Sequence, residues 1–339
     1  MKLRSPALLL LLPFAFLACD GKKSDQKKSA SGASTPVQPA PSGSRWKIAE
    51  LPARWKFTGF HEDKDLSGMA AWDDKHCLIC TDEKHNIQPG LLDRAAGTVV
   101  AGEGFSLLPG VTGKAETDAE GVAVSPNEKC YYVTGSHGVA KKSGELQPSR
   151  CHVARIPVDP ATGLPQPNAV QSGSLLPWVK QDPVLGSSVG RDLQHDGFNI
   201  EGLTWKDDKL WFGVRAPNIN GSLFVIEAQP ASLFTENPVA KLHRLPVGPG
   251  LGIREIAALK EGFLFIAGEA NSDLGPDNEF RLYRWNPGKE PEFVGTLPAA
   301  DGKAEGLFIL EETADHVDAL VVFDSAPGGG PRAYRLTRS

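Results

Sequence analysis

Asp118-Ala119-Glu120-Gly121-Val122-Ala123 is followed by the turn-like Ser125-Pro126-Asn127-Glu128 and the apolar run CYYV (130–133). A short apolar segment, a turn, and a second apolar segment of β-branched and aromatic residues read as an antiparallel hairpin. The pattern returns as Asp65-Leu66-Ser67-Gly68, Asn199-Ile200-Glu201-Gly202, Ile253-Arg254-Glu255-Ile256 and Lys303-Ala304-Glu305-Gly306. Each copy leads to a further apolar run: CLIC (77–80), LWFGV (210–214), FLFIAG (263–268) and ALVVF (319–323). Third strands follow in HVARIPV (152–158), SLFVIEA (222–228), FRLYRW (280–285) and RAYRL (332–336), and fourth strands in KLHRLPV (241–247) and EFVGTLP (292–298).

Four antiparallel strands per unit, repeated radially, make the blades of an all-β β-propeller. The motif positions Ser67, Glu120, Glu201, Glu255 and Glu305 are spaced by 53, 81, 54 and 50 residues. The long interval marks an insertion within residues 159–198, so the expectation is five blades, or six if the insertion hides another. The last unit ends after its third strand. An N-terminal strand, ARWKFTGF (53–60), is expected to complete it and remove two sheet edges.

Composition agrees. The 339 residues include 36 Gly and 27 Pro, too many for a helical bundle, while 40% hydrophobic content is too apolar for a disordered chain. Residues 1–45 hold seven Lys/Arg and two Asp/Glu, which leaves the remainder at a formal charge of −10. So acidic a domain lacks the Lys/Arg excess on which phosphate binding rests, which excludes nucleic acid as its partner.

The N-terminus reads as a targeting signal. Lys2 and Arg4 precede the twelve-residue run ALLLLLPFAFLA (7–18), too short to span a bilayer and suited to a secretory signal. Phe16-Leu17-Ala18-Cys19 resembles a bacterial lipobox, with Phe16 where Leu is usual, and implies a lipoprotein signal peptide (1–18) with Cys19 lipidated. Residues 19–45, nearly devoid of large apolar side chains, are expected to form a flexible tether to a propeller domain at 46–339. The expected location is the cell envelope, facing the periplasm, with the membrane a partner through the lipid anchor. Asp20 resembles an inner-membrane retention signal.

The runs DAEGVAVSPNEKCYYVTGSHG, NIEGLTWKDDKLWFGVRAP, GLGIREIAALKEGFLFIAGEA and KAEGLFIL occur in order and resemble the bacterial family of unknown function DUF3616. The Glu-Gly-hydrophobic element is also similar to that of SdiA-regulated and esterase-like phytase propellers. The resemblance implies the propeller fold and brings no settled activity. The chain departs from the pattern at Ser67, where Glu is usual, and at Ile256, where Gly is usual.

In a propeller the innermost strands line the channel, so Ser67, Glu120, Glu201, Glu255 and Glu305 are expected to ring one mouth. The second strands return to the same end and bring Asp82, Ser136, Arg215, Glu269 and Asp324 beside them. Four facing carboxylates need compensation. Arg215, Arg254 and Lys303 can supply it, the carboxylates can hold backbone N–H groups of neighbouring blades, or Glu120, Glu201, Glu255 and Glu305 can bind a cation. All-oxygen ligands in a loose ring favour Ca²⁺.

Other constellations carry less. Gly186-Ser187-Ser188-Val189-Gly190 matches a nucleophile motif without the strand and helix that an elbow requires. Cys77 and Cys80 lack a second ligand pair, and export permits disulfides among Cys77, Cys80, Cys130 and Cys151 without fixing a pairing. His137 and His195 lie near the expected mouth, and Trp178, Arg191, Asp192 and His195 are candidates to cover a ligand. The expectation is an envelope-anchored propeller binding a small molecule or cation at its acidic mouth. The alternatives are a metal-assisted hydrolase of ester, lactone or phosphate-ester substrates and a scaffold for a protein partner.

Overall fold

The five motif copies open the innermost strands of five sheets in a computed structural model that describes residues 37–52, 54–61, 64–81, 86–108, 116–271 and 279–339. These strands are Leu66–Ala71, Ala119–Ser125, Asn199–Lys206, Leu251–Ala258 and Lys303–Glu312, and each packs on the next until the fifth returns to the first. The ring is a five-bladed β-propeller. Residues Ser34–Ser339 form one compact unit. The signal segment, Cys19 and Asp20 lie outside the described residues.

Blade 3 shows the full pattern: Asn199–Lys206, Lys209–Ile219, Ser222–Ala228 and Ala240–Pro246, each antiparallel to the one before. Blade 4 repeats it with Leu251–Ala258, Phe263–Glu269, Arg281–Trp285 and Glu292–Thr296. Blade 2 ends in a three-residue strand, Gln171–Gly173, and the rest of the expected insertion holds one helix, Leu176–Gln181, with single turns at Gly186–Ser188 and Leu193–His195. It contains no sixth blade.

Closure differs from expectation in one respect. Blade 5 is completed from the N-terminus, but by Trp46–Glu50, which pairs with Arg332–Arg338 from Trp46↔Arg338 to Glu50↔Tyr334. The part of ARWKFTGF that forms a strand, Lys56–Thr58, instead runs parallel to Thr98–Ala101 at the outer edge of blade 1. Pro52 separates the two segments and lets the chain cross from the last blade to the first.

Part of the segment expected as tether also lies on the domain. Val37 packs into the cluster between blades 3 and 4, Gln38 O accepts from Arg281 Nη2 at 2.7 Å, and Ser44 Oγ donates to Val294 O at 2.5 Å.

The core is five clusters, one between each pair of adjacent blades. Strand alternation sends one side-chain row to each neighbouring blade. Cys77 and Cys80, three apart, therefore point into different clusters, Cys77 between blades 5 and 1 and Cys80 between blades 1 and 2. They form no shared site. Cys77, Cys80, Cys130 and Cys151 are all buried free thiols, and burial pushes Cys77 up to about 12 and Cys130 and Cys151 up to about 11. They serve as small apolar packing groups.

Candidate functional site

Every innermost strand carries a β-bulge at its start. The pairing register skips one residue in each: between Leu66 and Gly68, Ala119 and Gly121, Ile200 and Gly202, Ile253 and Glu255, and Ala304 and Gly306. The extra residue of a bulge leaves the ladder and is re-aimed. The five bulged residues are therefore Ser67, Glu120, Glu201, Arg254 and Glu305.

Blade 4 thus departs from the expected ring by one residue. Arg254, not Glu255, holds the position equivalent to the other motif residues. Glu255 holds the position occupied by Gly68, Gly121, Gly202 and Gly306. A Cβ on Gly121 would lie 2.7 Å from Leu203 N, and one on Gly202 would lie 2.9 Å from Ile256 N. At that position a Cβ faces the backbone of the following blade at close range, whereas the Glu255 carboxylate turns back to the preceding one. Its Oε1 accepts from Leu203 N at 3.0 Å and from its own neighbour Ile256 N at 2.8 Å, tying blade 4 to blade 3.

Placing a guanidinium in the ring resolves the repulsion expected among four carboxylates. Arg254 is fully buried. Its Nε lies 2.9 Å from Glu201 Oε2, an ion pair out of line for a hydrogen bond, and its Nη2 donates to Glu305 Oε1. Arg215 Nη1 donates to the other oxygen of Glu201 at 2.5 Å, while Arg215 Nε donates to Ala270 O at 3.1 Å. Lys303 Nζ donates to Asp324 Oδ2 at 2.7 Å. The floor of the mouth is a salt-bridge chain across blades 3, 4 and 5.

Electrostatics follow burial. Burial opposes the charge of Arg254, but Glu201, Glu305, Glu120 and Asp324 outweigh it and hold the guanidinium above its ordinary value. Burial pushes Glu305 up to about 7, with Arg254 pulling against it and Glu201 and Asp324 adding to it. Burial also drives Glu255 well above the usual carboxylate range, and Glu201 and Glu305 add to it against the two amide donors.

A titratable prediction arises from Glu255. Its folded pKa is raised, so the folded chain keeps a proton that the unfolded chain releases, and stability falls as pH climbs from about 4.3 towards the folded value. Gln copies the protonated acid and keeps Oε1 as acceptor. Glu255→Gln is expected to match the parent near pH 4.5 and to exceed it by about 1–3 kcal/mol at pH 8. Denaturant titrations at both pH values check this; a variant less stable at pH 8 would refute it.

The remaining expected residues are placed as follows. Ser67 is buried, and its Oγ finds no hydrogen-bond partner among the described residues. Glu120 and Glu269 are half-buried at the mouth. Ser136 is buried, accepts from Gly138 N at 3.2 Å and bonds Asp118. Asp118, which sequence reasoning did not single out, pairs with Arg150 Nη1 at 2.8 Å; burial raises its pKa against Arg150. It stands two residues before the bulge of blade 2 and adopts φ 50°, a signal readable only from the backbone. Asp82 lies outside the described residues.

Neither histidine sits as an acid or base on this floor. His137 is fully buried, donates from Nδ1 to Gly135 O at 2.9 Å and accepts Leu175 N at 3.4 Å, fastening the insertion to blade 2; burial lowers it to about 4. His195 is exposed, 3.8 Å from Asp192. Trp178 packs into the cluster between blades 2 and 3, Arg191 is exposed, and Asp196 of this loop reaches blade 4, accepting Asn271 Nδ2 at 2.8 Å. Among the described residues, the three-residue set with metal-ligand donors gathered within 4.8 Å is Glu311, His316 and Asp318 in blade 5, not the ring glutamates.

Several solved structures bear a distant likeness to the chain. A GH43 β-1,3-galactosidase is 12% identical over 85% of this chain and 94% of its own, with a TM-score of 0.47. An exo-β-1,3-galactanase from Phanerochaete chrysosporium is 10% identical over 85% and 63%, TM-score 0.46. A virginiamycin B lyase from Staphylococcus aureus is 13% identical over 86% and 99%, TM-score 0.36. No curated protein matches the chain. The model of the family described as protein of unknown function (DUF3616) matches residues 145–333, more than half of the sequence, and the chain is therefore a member of the DUF3616 family.

Proposed function

We propose that the protein is an envelope-anchored binding module whose propeller mouth takes a small organic cation. The observation that carries this is Arg254. Its guanidinium occupies the ring and engages Glu201 and Glu305 from both sides, where a metal ion would otherwise compensate them. The floor is thereby a finished structural unit. Beside it, the half-buried Glu120 of the same ring and Glu269 at the end of the second strand of blade 4 give the mouth an acidic rim. Counting the bulged residues, the second-strand ends and Lys303, the described groups here comprise five carboxylates (Glu120, Glu201, Glu269, Glu305, Asp324) and three cations (Arg215, Arg254, Lys303). A partly desolvated acidic rim favours an ammonium or guanidinium group able to donate several hydrogen bonds. The signal segment and Cys19 support anchoring through their resemblance to a lipobox.

The test is calorimetric titration of the full chain in detergent with spermidine, with arginine amide and with Ca²⁺, beside melting with and without chelator. The expected result is binding of an organic cation, weakened at least tenfold in a Glu120→Gln/Glu269→Gln double variant, and a melting temperature indifferent to chelator. Tight Ca²⁺ binding lost in the same variant would replace this reading with a metal site. Turnover of an ester, lactone or phosphate ester would replace it with an enzyme.

A further inference from the structure

The hairpin of blade 5 carries a second constellation, at the end of the propeller away from the mouth. Its inner strand, Lys303–Glu312, starts at the ring with Glu305 and ends at Glu312, and the chain returns as His316–Asp324. Glu311 pairs in register with Asp318, and Asp318 pairs in turn with Arg335 on the next strand. His316 lies two residues before Asp318 on the same strand, so alternation puts it on the same face. One face of three adjacent strands therefore presents Glu311, His316, Asp318 and Arg335 together.

The donor atoms converge. Glu311 Oε2 lies 3.3 Å from His316 Nε2, Asp318 Oδ1 lies 3.8 Å from it, and one donor from each residue falls within 4.8 Å of the others. Both imidazole–carboxylate distances exceed the usual N–H···O range of about 2.7–3.2 Å. His243 and Glu227 in blade 3, by contrast, make an ordinary contact at 2.8 Å. Two donors bound tetrahedrally to one metal ion, each at about 2.0–2.2 Å, stand about 3.4 Å apart. The imidazole thus meets its carboxylates near the separation of co-ligands, not that of a hydrogen bond.

Two further contacts hold the set in place. Thr313 Oγ1, in the hairpin turn, accepts His316 N at 3.1 Å and lies 3.1 Å from His316 Nδ1, which anchors the ring through its other nitrogen. Arg335 donates from Nε to Asp318 Oδ1 at 2.7 Å and from Nη2 to Oδ2 at 2.6 Å. A carboxylate has about four lone-pair sites, so this fork fixes Asp318 and leaves a site on each oxygen. Arg335 and Glu311 belong to the strands on opposite sides of Asp318. Arg254 in the ring is different: it stands between its two glutamates and fills the place of an ion. Exposure is graded, with the Asp318 side chain 8% exposed, His316 18% and Glu311 58%, so an ion enters from the Glu311 side.

We infer that Glu311, His316 and Asp318 bind a divalent transition-metal ion, with donors that suit Zn²⁺, and leave a fourth position open on the exposed side. An imidazole beside two carboxylates disfavours Mg²⁺ and Ca²⁺, which take oxygen ligands. Three protein ligands and one open position are the coordination of a zinc ion that exchanges its fourth ligand, so water or a dissolved anion completes the set. Three ligands also hold the ion loosely enough for dialysis to remove it, and protein without added zinc still melts alike with and without chelator.

Calorimetric titration of the full chain in detergent, first stripped by chelator and dialysed, tests this with Zn²⁺, Mg²⁺ and Ca²⁺. Zn²⁺ is expected to bind one to one, at least tenfold more tightly than Mg²⁺, and to raise the melting temperature by about 5 °C at a hundredfold excess over Kd. Glu311→Gln alters an exposed side chain; it is expected to keep the metal-free melting temperature and to weaken Zn²⁺ at least tenfold. His316→Gln is expected to weaken it at least as much. Glu120→Gln/Glu269→Gln is expected to leave Zn²⁺ binding unchanged, which keeps this result separate from that of the mouth. Zn²⁺ binding no tighter than that of Mg²⁺, or undiminished in both blade 5 variants, would overturn the inference and leave His316 as a bridge between two carboxylates.

Discussion

Arg254→Met is expected to destabilise the protein by about 3–5 kcal/mol, the cost of stripping a buried ion pair of one partner. The effect follows from position. The side chain is fully buried at the bulge of blade 4 and is the cation shared by Glu201 of blade 3 and Glu305 of blade 5. Arg215 still serves one oxygen of Glu201, but Glu305 is left to Lys303 at longer range in a site where burial already raises its pKa. For a domain of this size the loss lowers the melting temperature by roughly 10 °C. Two companion measurements separate charge from packing. The loss is expected to shrink near pH 5, where the orphaned Glu305, already pushed up by burial, takes up a proton. The triple variant Arg254→Met/Glu201→Leu/Glu305→Leu is expected to recover most of the stability, because an apolar replacement of the whole set leaves no uncompensated charge. A single variant as stable as the parent at pH 8 would show that the guanidinium does not hold the ring.

The same residue marks the limit of what the sequence makes legible. Five repeats, the hairpin in each and the insertion in the second could all be read, because alternation and turn chemistry repeat at every copy. The bulge could not. Alternation assigns faces by counting residues in twos, and one extra residue slips the count without altering composition. At Ile253-Arg254-Glu255 that slip exchanged the ring residue with its neighbour, so a ring of four carboxylates became three carboxylates and an arginine. The Glu-Gly motif held the clue: where Gly is absent, the residue in its place faces a neighbouring backbone and must have a reason to be there, as Glu255 does.

Outer strands escaped for a different cause. Gln171–Gly173 contains no apolar residue, and Asn86–Asp93 is interrupted by Pro89 and Gly90. A Cβ on Gly90 would lie 2.7 Å from Cys77 Sγ, so tertiary packing, which no local pattern shows, explains the glycine. The closing strand was misplaced because ARWKFTGF stands before the first motif as KLHRLPV stands before the fourth, whereas the strand that closes blade 5 lies one segment earlier. Trp46–Glu50 covers only one face, and its anchoring is concentrated in Trp46, whose ring lies 5.0 Å from the guanidinium of Arg284 and 5.9 Å from that of Arg338.

Closure supplies the second large effect. Chains beginning at residues 34, 46 and 51 are expected to form a graded series. The first matches the parent, since it retains the whole compact unit. The second loses Val37 from the cluster between blades 3 and 4, the Gln38 acceptor of the buried Arg281 and the Ser44 bonds to blade 4; about 1–3 kcal/mol is the expected cost. The third removes the strand from Trp46 to Glu50. It uncovers the edge of Arg332–Arg338 and takes Trp46 from the cluster it shares with Tyr334 and Leu336, a loss of about 3–5 kcal/mol for the tryptophan alone before any ladder bond is counted. An open edge beside an exposed apolar cluster favours association between chains, so this form is expected to be aggregated or to lack cooperative melting. A peptide covering residues 37–50 added during refolding is expected to restore a soluble, cooperatively melting propeller by strand addition. Its Trp46→Ala counterpart is expected to fail, because backbone pairing without the buried indole supplies the ladder but not the packing. If the chain starting at residue 51 melts like the parent without peptide, the ring does not depend on this strand, and blade 5 is held by its neighbours alone.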